Sequence, residues 1–181
     1  TRWGMGGNRL LDAGCWAARL GWFVVCLCGV GRLGAMDLAG AREAMRTGDY
    51  AAVLKAAEAR GDAKEEREGW SLVHAEALTV VSRYTEALAV LDRAMSHDVQ
   101  SIRVRWAARE LGQALGDQDR VRALSQEIAE LVSRRRWAYR DPVNLVVFGR
   151  LALALGADPK DVLDRVFAVA QKAAPTLRDV Y

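Results

Sequence analysis

The sequence predicts an all-α fold, a solenoid of antiparallel helical hairpins, on three observations. Gly48-Asp49-Tyr50-Ala51-Ala52-Val53 is echoed by Ser82-Arg83-Tyr84-Thr85-Glu86-Ala87 and again by Gly116-Asp117-Gln118-Asp119-Arg120-Val121, each step being 34 residues. A fixed period of this size marks a repeat array. Beyond residue 36, apolar side chains recur at three- and four-residue spacing, and no stretch alternates like a strand. Glycine, proline and helix-capping residues punctuate the chain at hairpin intervals.

The chain has 181 residues, enough for one sizeable core. Its net charge of +3 lies entirely at the front. Residues 1–35 hold four arginines against Asp12, and the remainder balances 22 basic against 22 acidic side chains. A neutral body argues against nucleic acid as a partner. Cys15, Cys26 and Cys28 also lie at the front, so the body can hold neither a disulfide framework nor a thiolate metal site.

Residues 1–35 read as a leader. Scattered arginines precede the uncharged run Leu20-Gly21-Trp22-Phe23-Val24-Val25-Cys26-Leu27-Cys28-Gly29-Val30-Gly31, and small residues come after it at Gly34 and Ala35. Basic, apolar and small in that order is the pattern of a secretory signal peptide. The run is short of the ~20 residues that span a membrane, so no stable insertion is expected once the leader is removed. Cleavage after Ala35 or at Ala39-Gly40-Ala41 would export the body to the periplasm or outside a bacterial cell. If residues 1–35 do not act as a signal peptide, or with Met36 as the true start, the location would be cytoplasmic. A rival reading is nucleotide binding: Gly29-Val30-Gly31-Arg32-Leu33-Gly34 spells G-x-G-x-x-G after an apolar run. That motif needs a second strand and an acidic residue about 20 positions on. The alanine-rich helix former 51–59 stands downstream instead.

The helices come in pairs, in units of about 36–67, 68–101, 102–140 and 141–175. The first is expected over 37–47, stopped by Gly48, and the second over 50–60, stopped by Gly61. The charged 62–68 run is a linker or an extension. Trp70, Val73, Ala77 and Val80 make one apolar stripe over 69–82. Leu88, Leu91 and Met95 repeat it over 85–96, with Ala87 and Ala94 allowing close approach. Val104, Ala108, Leu111 and Leu115 serve 101–115, and Val121, Leu124, Ile128 and Leu131 serve 119–136. Asp141-Pro142 and Asp158-Pro159 each open a helix, an N-cap followed by a first-turn proline. Val143, Val146, Val147, Leu151 and Leu155 line the first, which Gly156 ends. Val162, Val166, Val169 and Ala173 line the second, which Pro175 closes. The period slips by several residues around 135–140. Residues 176–181 begin what reads as a further helix, so the chain is expected to be part of a longer protein.

These residues resemble the tetratricopeptide repeat family over about 37–175. Gly48, Tyr50, Ser82, Tyr84, Ala87, Leu91, Ala94, Gly116 and Pro175 fall on its pattern, and Trp70 lies near its helix-A tryptophan. Gln118, Val53 and Val121 depart from it. Arg109 stands where a small residue belongs, unless that helix is offset by one. The resemblance implies a right-handed solenoid that binds protein or peptide on its concave face, without catalysis or cofactor. It places Arg42, Glu76, Arg103, Trp106, Glu110 and Gln113 on that face, with Trp106 and Arg103 as an anchor pair; the alternative is that Trp106 simply packs between units. The lysine and asparagine pattern that clamps a peptide carboxylate in some members is not visible. An alternative is a regulatory or targeting part of a larger enzyme, with its chemistry beyond Tyr181.

No catalytic or metal constellation stands out. His74 and His97 have no partner at ligand spacing. No serine, threonine or cysteine has a nucleophile context. Arg134-Arg135-Arg136, with Trp137, Tyr139 and Arg140 interleaved, looks like a small nucleic-acid patch, but with a neutral body it reads first as a basic helix end that the macrodipole favours. Oligomeric state is not legible.

Overall fold

The computed structural model describes residues 36–60, 64 and 66–176. The leader, its cysteines, the Gly29–Gly34 motif, the Gly61 stop and the helix start over 177–181 lie outside the described residues. The chain divides into two compact units, Thr1–Met36 and Asp37–Tyr181, and the second is all-helical where it is described.

Its helices are α1 (Leu38–Thr47), α2 (Tyr50–Arg60), α3 (Arg67–Val80), α4 (Tyr84–His97), α5 (Ile102–Ala114), α6 (Gln118–Arg134) and α7 (Pro142–Ala154). A last helical arm comes after them: α8 (Pro159–Val162), a π-turn (Leu163–Phe167) and α9 (Ala168–Ala173). Every hairpin expected from the sequence is present, to within two or three residues at each end.

One device makes all four turns within these hairpins. Gly48, Ser82, Gly116 and Gly156 adopt left-handed backbone, at φ 85°, 63°, 78° and 85°. The residue after each donates its N–H back five positions: Asp49 to Ala44 O, Arg83 to Leu78 O, Asp117 to Gly112 O and Ala157 to Ala152 O, at 2.8–2.9 Å. This bond satisfies a carbonyl that the helix end leaves orphaned and reverses the chain. Carboxylate caps start the next helix. Asp49 Oδ1 accepts from Ala52 N, Asp117 Oδ1 from Arg120 N, and Asp158 Oδ1 from Lys160 N. The echo in the sequence is therefore the echo of a turn.

Stacking depends on which helices touch. The first helices of successive hairpins pack on one another: α1 on α3, α3 on α5, α5 on α7. Among the described residues, the second helices α2, α4 and α6 make no comparable contact with one another. They pack on the first helices of their own and the following hairpin. Such wedges put α1, α3, α5 and α7 on the inside of the curve, as in other hairpin solenoids.

The buried seam runs along the stack. Ala75, Leu78, Ala87, Leu91, Ala94, Val104, Ala108, Leu111 and Leu124 form one cluster. Ile102, Trp106, Ile128, Val132, Tyr139, Val147 and Leu151 form the next. Ala108 joins Ala75 in the first cluster, and Arg109 beside it is itself buried.

Some stripe residues lie outside the seam. Val80, Leu115, Leu155 and Val169 are 46–64% exposed. The first three sit at helix C-termini, where the chain leaves for the turn. Val169 has a different cause. The π-turn inserts one residue into the last arm, so the face beyond it shifts by one, and Ala170 is buried in place of Val169. The ring of Phe167 in that turn fills the space over Gly149, where a Cβ would come within 2.5 Å of its Cε1.

The slip between the third and fourth units is taken up by a 3-10 turn, Arg136–Tyr139. Tyr139 is buried, and its hydroxyl donates to Gln100 O at 2.9 Å. Arg135 Nη1 donates to Gln100 Oε1 at 3.0 Å. Two adjacent turns are thus tied together.

Candidate functional site: the groove of the first helices

α3, α5 and α7 line one open groove of about 510 Å³. From α3 come Leu72, Ala75, Glu76, Thr79 and Val80; from α5, Arg103, Trp106, Ala107, Glu110, Leu111 and Ala114; from α7, Val143, Val146, Val147 and Arg150. The walls are mainly apolar, with four charged side chains among them. Four residues expected on the concave face, Glu76, Arg103, Trp106 and Glu110, are brought together here. Arg42 is not among them. It lines a separate cleft of about 500 Å³ with Leu38, Arg67 and Asp98, although Arg103 borders both spaces.

Trp106 is 7% exposed and packs into the cluster between the third and fourth units while still lining the groove. The cation on its ring is Arg109, whose guanidinium carbon lies 4.8 Å from the ring centroid. Arg109 is itself buried. Its Nε donates to Ser125 Oγ at 2.9 Å and its Nη1 to Gln113 Oε1 at 3.0 Å. Gln113 therefore acts at one remove, by steadying the arginine that backs the tryptophan. A cation held on a desolvated indole face is worth about 2 kcal/mol, so this stack fixes the ring's plane.

Arg103, expected as the partner of Trp106, is engaged elsewhere. Its Nη1 lies 3.1 Å from Glu68 Oε2, while Ser101 Oγ donates to Glu68 Oε1 at 2.6 Å. Ser101 also caps α5, accepting from Val104 N at 3.1 Å. A first-turn carboxylate of α3 thus joins the N-terminus of α5 and sets the spacing of two groove-lining helices.

Val80 and the α7 residues Val143, Val147 and Arg150 complete the groove and were not singled out from the sequence as binding residues. The signal was present: 143, 147 and 150 recur at helical spacing on one face, the same test that marked the stripes.

A second cleft, of about 600 Å³, opens between α6 and α7, with Val132, Phe148, Leu151 and Leu155 on its walls and Arg136 as its one charged lining residue. His74 is half-buried on α3; burial pushes its pKa down, with Glu58 and Glu86 opposing and Arg83 and Arg93 assisting. His97 lies exposed in the last turn of α4. Among the described residues no group of three or more histidine, cysteine, aspartate or glutamate side chains could hold a metal ion. No helix among them is long and apolar enough to cross a membrane.

The chain is similar in fold to a solved structure. The crystal structure of a thermophilic TPR protein in Thermus thermophilus superposes on 79% of this chain and 75% of its own, with a TM-score of 0.52 and 19% identity. The chain has a tetratricopeptide-like fold. At that identity the likeness concerns the fold alone. No family model matches the sequence, and no curated protein resembles it closely enough to count as a relative. The tetratricopeptide-like framework explains why α1, α3, α5 and α7 share the inner side.

Proposed function

We propose that the tetratricopeptide-like array is a non-catalytic scaffold that docks a peptide or protein segment in the groove of α3, α5 and α7. The observation that carries this reading is the groove itself. Three first helices present apolar walls around a tryptophan whose ring is already fixed by Arg109. Tryptophan and arginine dominate interface energetics, and an anchor ordered in advance costs less on binding. The cleft between α6 and α7 offers one charged side chain, Arg136, to orient a ligand, against four in the groove.

The test uses a random peptide library displayed on phage and selected against the full chain. Selected peptides should lose about tenfold or more in affinity to Val80→Asp. That position is 48% exposed, so the fold is retained. Trp106→Ala should weaken binding further, with circular dichroism reporting the fold. Undiminished binding to both variants excludes the groove.

Export is proposed on the pattern of residues 1–35. Mapping the mature N-terminus in the native host tests it, since a terminus upstream of Gly29 would retain the leader.

A further inference from the structure

The charges around the groove are unevenly placed, and this narrows what can occupy it, given the docking reading above. Arg103 is compensated by Glu68 and adds little net charge. Glu110 on α5 and Arg150 on α7 are exposed at the groove, and among the described residues neither has an ion pair or side-chain hydrogen bond. Glu76 on α3 also lines the groove but is already engaged within the protein, so it is set aside like Arg103. Across the stack the two free charges are a carboxylate on α5 and a guanidinium on α7, over apolar walls that include Trp106, Val146 and Val147.

We propose that the occupant is a peptide segment with an apolar core, a lysine or arginine over α5, and an aspartate or glutamate over α7. Filling the groove strips water from Glu110 and Arg150, and each then needs an opposite charge. A like charge in either place is penalised, so the polarity also fixes the direction in which the segment lies.

The selection is repeated with a random phage-displayed library on three forms of the full chain: wild type, Arg150→Glu and Glu110→Lys. Wild type should enrich an apolar motif with a basic residue on one flank and an acidic residue on the other. Arg150→Glu should exchange the acidic flank for a basic one. Glu110→Lys should deplete the basic flank. Measured on one wild-type peptide, each reversal should cost about two- to fivefold, as exposed pairs do, and less at high salt. An apolar motif that competes at the groove with no flank preference, or one unchanged by the reversals, overturns the polarity and leaves docking intact. A motif whose binding ignores Val80→Asp and Trp106→Ala, or no enrichment at all, overturns both.

Discussion

Ser82 holds at φ 63° the left-handed turn that Gly116 holds at φ 78° one repeat later. A serine in that region carries about 1–2 kcal/mol of strain that glycine does not. Glycine's freedom in the unfolded chain offsets part of the gain. Ser82→Gly should therefore stabilise by about 0.5–1 kcal/mol, seen as a melting temperature about 2–4 °C higher. No change would mean that the turn is not strained.

Gly149 faces Phe167 across α7 and the last arm, with no room for a branched side chain. Gly149→Val should destabilise by about 1–3 kcal/mol, as overpacking does. Denaturant midpoints of the two forms measure this. A neutral result would show that the π-turn can move its ring away.

Buried Tyr139 ties the slip in the period to the turn at Gln100. Tyr139→Phe keeps the ring and removes the donor, leaving Gln100 O without that bond. The expected cost is about 1 kcal/mol by chemical denaturation.

His74 makes stability depend on pH. Burial lowers its folded-state pKa below the ordinary 6.5, so the unfolded chain takes up the proton first. Stability is full above about pH 6.5 and falls as the pH drops below it, until the folded form also protonates. His74→Leu should flatten the decline between about pH 7 and 5.5 in melting curves. An unchanged slope would assign it to other groups.

Much of the fold was legible because the turn chemistry is local. Gly48, Gly116 and Gly156 end helices by a conformation that the residue itself permits, and Asp141-Pro142 opens one by fixed geometry. The features that were not legible depend on contacts distant in sequence. Nothing near Leu163–Phe167 announces a π-turn; it shows only where Phe167 meets Gly149, and the buried face moves from Val169 to Ala170. The concave residues divide in the same way. Glu76, Trp106 and Glu110 were placed by the family resemblance, and they line the groove. Which cation stacks on Trp106 was not legible, because Arg103 is drawn away by Glu68 on a different helix, 35 positions back.

The most direct test of the groove is photo-crosslinking with a library-selected peptide that carries a benzophenone in its apolar core, with mass-spectrometric mapping on the full chain. Cross-links should fall on α3, α5 and α7, around Val80, Ala107 and Val146. Cross-links confined to α2, α4 or α6 would place binding on the outer side and contradict the account.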